Sequence, residues 1–175
     1  SVAARTNGRT VSADGRTVCA SASVVKDAGD DPDITDGLTI EARVVLHLSD
    51  QPCAPDTLPV DIDGGTGVGR VTLPGLDAAV GQAAINATPR RMIATGIRHL
   101  LSTLPQQSLH PTRAEVILSV PQGEEIARRT FNPRLGILGG ISIIGTSGIV
   151  KPFSTEAFIH SIAKSMDVAR ATGSP

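Results

Sequence analysis

Residues 38–48, LTIEARVVLHL, decide the fold. Leu38, Ile40, Ala42, Val44, Leu46 and Leu48 fall on one parity, and Thr39, Glu41, Arg43 and His47 on the other. In a pleated strand side chains alternate between faces, so this pattern predicts an antiparallel strand with one face against a core and one in water. On its N-terminal side, residues 17–26 (TVCASASVVK) predict a second strand with Val18, Ala20, Ala22 and Val24 on one face. Between the two lies DAGDDPDITDG (27–37), a loop with five aspartates and a proline. The residues before 17 are polar and unpatterned and predict no element.

Beyond the central strand, SDQPCAPDTLP (49–59) is a proline-rich loop. RVTL (70–73) and AEVILSV (114–120) predict further strands. ATPRRMIATGIRHLLSTL (87–104) predicts a helix with Thr88 as cap and Pro89 at the first helical position. Its apolar stripe is Met92, Ile93, Ile97, Leu100, Leu101 and Leu104. PQGEEIARRTF (121–131) carries acids where a helix N-terminus favours them. LGILGGISIIG (135–145) predicts a buried strand bent at Gly139-Gly140. STEAFIHSIAKSMDVARA (154–171) predicts a helix capped by Ser154, with Phe153 and Phe158 as a hydrophobic staple. The order predicts a single α+β domain over 1–175, a two-layer sandwich of a mixed or antiparallel sheet with helices packed on one face.

The chain has 175 residues, 40% apolar and 19% charged, enough for a real core. A net charge of −1 argues against nucleic acid as a partner, and the absence of Trp and Tyr removes stacking platforms for bases. Two cysteines, Cys19 and Cys53, and four scattered histidines lack metal-ligand spacing, so no metal is expected. Apolar runs are short and broken, so no membrane span is expected, and free thiols point to the cytoplasm.

The glycine-rich loop GTGVGRVTLPG (65–75) looks like half of a dinucleotide fingerprint, but it runs into strand-like sequence and opens no helix. Two readings stand. Gly65, Gly67 and Gly69 supply positive φ in a hairpin or bulge, or their backbone forms a nest for an anion or flat ligand, with Arg70 as counter-charge. The acidic loop is either turn chemistry or a set of carboxylates, Asp27, Asp30 and Asp31, for a cationic ligand. A second glycine-rich turn, Gly145-Thr146-Ser147-Gly148, leads through Lys151 to a helix start. It can receive an anion or simply join strand to helix. Arg90 and Arg91 sit at a helix start, where the dipole disfavours them, which points to an external partner or a neighbouring acid. There is no nucleophile–base pair, so chemistry here rests on binding and orientation.

VVKDAGDDPDITDG, GGTGVGRVTLPGL, VGQAAINATPRRMI and SVPQGEEIARRTFNPRLGILGGISIIGTSGIVKPFS together resemble successive blocks of the cobalt-precorrin-5B C1-methyltransferases of anaerobic cobalamin biosynthesis, from about Val24 to Asp167. The resemblance implies methyl transfer from S-adenosylmethionine to ring carbon C1 of cobalt-precorrin-5B, giving cobalt-precorrin-6A. It implies Lys26, Arg70, Arg90, Arg91, Arg134 and Lys151 as partners of the acceptor's carboxylates. It places Asp27, Asp30, Asp31, Gly65, Gly67, Gly69, Gly145, Thr146, Ser147 and Gly148 toward the donor. Family members begin with a Thr-Thr-Gly-type segment not found here and continue into a Rossmann-like unit. The expectation is therefore an N-terminal piece of a longer two-domain enzyme, cut near 171–175 and possible as a homo-oligomer. The alternative is a non-catalytic polycarboxylate-binding or assembly domain.

Overall fold

In a computed structural model the structure describes residues 3–29, 33–51, 53–105, 108–145 and 155–173. The elements in chain order are β1 (Arg5–Val11), β2 (Thr17–Val25), β3 (Thr39–Ser49), β4 (Val60–Gly64), β5 (Gly67–Val68), β6 (Arg70–Val71), α1 (Ala87–Thr103), β7 (His110–Ser119), α2 (Gly123–Ala127), β8 (Ile137–Leu138), β9 (Gly140–Ile141) and α3 (Thr155–Thr172). Five strands form one sheet in the order β1-β2-β3-β7-β4, and β5-β9 and β6-β8 form two small ladders. All pairings in the main sheet are antiparallel except β4 with β7. The α+β, mixed-sheet expectation holds.

The alternation read from residues 38–48 sets the register of the sheet. Val18 lies opposite Leu46, Ala20 opposite Val44 and Ala22 opposite Ala42. Across the other neighbour, Val44 meets Val116 and Leu46 meets Ala114, while Ile62 of β4 also meets Val116. One face is thus apolar from β2 to β4. Leu38, Val116, Leu118 and Val120 join Val68, Ala83, Ile85, Ala127 and Ile141 in one core cluster, with Ile93 and Ile97 of α1 and Ile126 of α2 packed on it. Burying side chains of this size contributes about 1.5–3 kcal/mol each. The opposite face carries His47, Arg113, Glu115 and Asp61, joined by His47–Glu115 (3.1 Å) and Arg113–Asp61 (2.7 Å) contacts.

Several boundaries differ from those read in the sequence. β1, RTNGRTV, is exposed throughout and shows no apolar pattern. It is defined by pairing with β2 as an edge strand, with a register shift between Thr6 and Gly8. β4 occupies part of a segment for which the sequence predicted no element. β7 begins at His110, ahead of the predicted Ala114. β4 joins only from Ala114, so the missing N–H of Pro111 falls where β7 has no partner on that side. Asn86, not Thr88, occupies the N-cap of α1, which puts Pro89 at the third helical position. The first intrahelical bond is Arg90 N–H to Asn86 O, so Pro89 forfeits no donor. The apolar stripe of α1 is narrower than predicted. Ile93 and Ile97 pack on the core, whereas Met92, Leu100 and Leu104 are exposed. Ser154, Phe153 and the Phe158 side chain lie outside what is described.

Candidate functional site

The glycine-rich turns meet at one end of the sheet, where β4 and β7 finish. Gly67 pairs with Gly140 in the β5–β9 ladder. A Cβ on Gly67 would fall 1.8 Å from the Val120 carbonyl oxygen, one on Gly123 2.1 Å from Gly67 O, and one on Gly140 2.2 Å from Gly67 O. Gly65 and Gly69 are confined in the same way, by Ser119 Oγ and Ile137 Cγ2, each 2.4 Å from an added Cβ. Only Gly67 of the three has positive φ, 71°. The glycines therefore let three backbone segments touch one another. The Gly65 N–H donates to Leu118 O (2.7 Å) and the Gly69 N–H to Ile141 O (2.8 Å). The N–H donors of those two residues thus have partners inside the protein.

The bend predicted at Gly139-Gly140 is present, with Gly139 at φ 79° between β8 and β9. Gly145 follows the same segment, and a Cβ added to it would lie 3.3 Å from Pro89 Cγ. Between them the Ile143 N–H donates to Ala84 O (2.8 Å), and the Asn86 N–H donates to Ile143 O (3.0 Å). The acidic loop lies at this end too, since it leads into β3, whose Glu41 pairs with Ser119 at the end of β7, and the Lys26 N–H closes it on Leu38 O (2.9 Å). Asp30, Asp31, Thr146, Ser147, Gly148 and Lys151 lie outside the described residues.

The sequence-predicted cations divide into two sets. Lys26 contacts Asp33 and Thr35 inside its own loop. Burial raises the Asp33 carboxyl, but hydrogen bonds from Lys26 and Thr35 outweigh it and hold it below its ordinary value. Arg70 forms a bidentate pair with Asp63, 2.7 and 2.9 Å, and also donates to Gly64 O. Arg90 donates from Nε to Ile85 O, from Nη1 to Ile62 O and from Nη2 to Ala83 O. These partners are carbonyl oxygens of this chain, and the charge of Arg90 also acts on the Asp63 carboxylate. Arg91 and Arg134 form the second set. Both are exposed, and Arg134 lies over the Phe131 ring at 5.8 Å. Asp27 is exposed, with one oxygen accepting the Gly29 N–H (2.9 Å).

Three residues that the sequence did not single out shape this end. Asp63 fixes Arg70. Asn132, the buried polar residue at 7% exposure, donates to Gly140 O (3.2 Å) and accepts from Ser142 Oγ (3.4 Å). Phe131 is 68% exposed. The run RRTFNPR, an aromatic among arginines at an Asn-Pro turn, was the available signal for Phe131. A cavity of about 450 Å³ lies at the opposite end of the sheet, lined by Val18, Leu46, Leu48, Leu58 and Leu101 among others. Among the described residues no three His, Cys, Asp or Glu side chains form a metal set, and no helix is long and apolar enough to cross a membrane.

Fold and site define a mixed α+β domain closed at one end by glycine-to-glycine backbone packing, with no nucleophile–base pair among the described residues. Residues 7–152 match the family described as CbiD, and the chain belongs to it. It is 53% identical over 160 residues to the cobalt-precorrin-5B C(1)-methyltransferase of Geobacillus thermodenitrificans, covering 91% of this chain and 39% of that protein. It is 51% identical over 164 residues to the protein of the same name from Variovorax paradoxus, covering 91% and 42%. A crystal structure of a cobalamin biosynthesis protein (cbiD) from Archaeoglobus fulgidus aligns at 28% identity with a TM-score of 0.49, over 83% of this chain and 43% of that one. The chain spans about two fifths of the length of the curated relatives it matches.

Proposed function

We propose that this chain provides the N-terminal α+β part of an S-adenosylmethionine-dependent methyltransferase acting on C1 of cobalt-precorrin-5B in the cytoplasm. The observation that carries this is identity of about half, over some nine tenths of the chain, to proteins bearing that name. In the transfer, the ring carbon attacks the sulfonium methyl in line. The carbon–sulfur bond breaks with its electrons on sulfur, leaving S-adenosylhomocysteine. Such a step needs alignment of two bound molecules more than a proton relay, which agrees with a domain rich in tight turns and with no nucleophile–base pair among its described residues.

The acceptor carries many carboxylates. Arg91 and Arg134 are exposed and lack an acidic partner among the described residues, so they are the cations assigned to it here, together with Lys151, which the family resemblance implies. Lys26, Arg70 and Arg90 act one step back, holding the acidic loop and the β4 edge. The exposed carboxylate of Asp27 suits the sulfonium of the donor. The test is incubation of the full-length protein with S-adenosylmethionine and cobalt-precorrin-5B. Gain of one methyl group with release of S-adenosylhomocysteine is expected. Binding of the corrinoid without turnover would instead make it a carboxylate-binding module.

A further inference from the structure

Phe131 is 68% exposed in a sequence with three phenylalanines and neither Trp nor Tyr. Leaving such a ring in water forgoes the burial that drives folding. Its backbone is nonetheless firmly held. The Phe131 carbonyl accepts from the Arg134 N–H (3.0 Å) and the Leu135 N–H (3.2 Å). Asn132 is buried and donates its N–H to Thr130 Oγ1 (3.2 Å), and Gly136 closes the turn at φ 71°. The Arg134 guanidinium stands over one face of the ring, which leaves the other to solvent. In the preceding turn, Arg129 is exposed with no side-chain partner among the described residues, and Arg128 meets Glu124 only at 3.9 Å. Leu138, in the strand that follows the turn, is also exposed.

An exposed apolar ring under the Arg134 guanidinium, with Arg128 and Arg129 three and two residues before it in sequence, suits a flat, apolar molecule with an anionic rim. The methyl donor is excluded on charge, since its sulfonium would be repelled by the same arginines. We propose that the free face of Phe131 seats the planar macrocycle of the acceptor, with Arg129 and Arg134 meeting carboxylate arms that extend from its rim. This rests on the acceptor being a corrinoid polycarboxylate, as assigned above.

The test compares full-length wild type with Phe131→Ala, Phe131→Tyr and Arg134→Met. Phe131→Ala is expected to raise the acceptor KM about tenfold and Arg134→Met about fivefold, Phe131→Tyr staying near wild type. The S-adenosylmethionine KM and the unfolding midpoint of each variant should not move, since the ring is outside the core. An unchanged acceptor KM in Phe131→Ala overturns the proposal. So does a raised donor KM, which would make the ring an adenine seat, or a changed elution volume, which would make it a protein interface. If wild type shows no methylation, the functional assignment fails and equilibrium binding of cobyrinic acid decides this inference separately. Weaker binding by Phe131→Ala than by wild type supports it, and equal or absent binding sinks it.

Discussion

Arg90 reaches from the first turn of α1 to donate Nη1 to the carbonyl of Ile62, at 2.6 Å, on the free edge of β4. Pro59 and Gly65 bond to β7 at the two ends of β4, so the alternate carbonyls point outward. Arginines meet three of them: Arg98 donates to Leu58 O (3.0 and 2.9 Å), Arg90 to Ile62 O and Arg70 to Gly64 O. An unpaired strand edge invites another strand, and these guanidiniums occupy it.

Removing Arg90 should therefore register as lost stability. Arg90→Met leaves the carbonyls of Ile62 and Ile85 without this donor, while Ala83 O keeps the Ile85 N–H, and a loss of about 1–3 kcal/mol is expected. Arg90→Lys should not restore it, because one ammonium cannot span three divergent oxygens. Arg91→Met, on an exposed neighbour, should leave the thermal midpoint where it was. Thermal unfolding of the three variants is the measurement, and equal midpoints for the two Met variants would contradict this role.

The glycines give a prediction of opposite signs. Gly67→Ala drives a methyl into the Val120 carbonyl, at 1.8 Å, in a residue with φ 71°. Backbone cannot swing aside as a side chain can, so more than about 3 kcal/mol of stability should be lost. Gly96 lies in α1 with nothing within 4 Å of an added Cβ and no positive φ. Gly96→Ala should raise stability by about 0.5–1 kcal/mol through helix propensity. Urea unfolding of both variants checks the pair.

What the sequence could reveal follows from where each signal resides. Leu38 to Leu48 declares a strand because its burial is written in its own alternation. β1 declares nothing, since an exposed edge strand is specified by its neighbour Val18–Ser23 rather than by its own side chains. The glycine alternation at 65–69 was visible, but its purpose was not: the atoms that crowd Gly67 belong to Val120, Gly123 and Gly140, more than fifty residues away. Likewise an arginine reads as a cation, and only the fold tells whether carbonyls, as at Arg90, or solvent, as at Arg91, surround it.

The Arg70–Asp63 pair predicts a pH dependence. Hydrogen bonding from Arg70 holds the Asp63 carboxyl below its ordinary value of 3.8, with partial burial opposing. A carboxyl depressed in the folded state adds stability that is fully present above its unfolded value and fades as the pH falls through the lower folded one. Asp63→Asn should thus be less stable than wild type at neutral pH. The gap should close on acidification below about pH 4. Since the pair is half exposed, the gap should also narrow in high salt. A gap that stays constant from neutral to acid pH would show that Asp63 contributes only by shape.

Asn132 tests whether the turn that presents Phe131 is held from beneath. Its amide nitrogen donates to Gly140 O, the carbonyl of the residue stacked on Gly67, and its oxygen accepts from Ser142 Oγ. Both bonds lie in or beside the core, where an orphaned polar atom is not rescued by water. Asn132→Ala should lower stability by roughly 1–3 kcal/mol, with Ser142→Ala smaller because its bond is long. Asn132→Asp should be worse than alanine at neutral pH, since it sets a carboxylate against the Gly140 oxygen in a nearly dry site. Acidification should then recover part of that loss as the carboxyl protonates and regains a donor. Urea unfolding at neutral and mildly acidic pH gives the comparison. If Asn132→Asp and Asn132→Ala unfold alike at both, the Asn132 amide is not what fixes the turn.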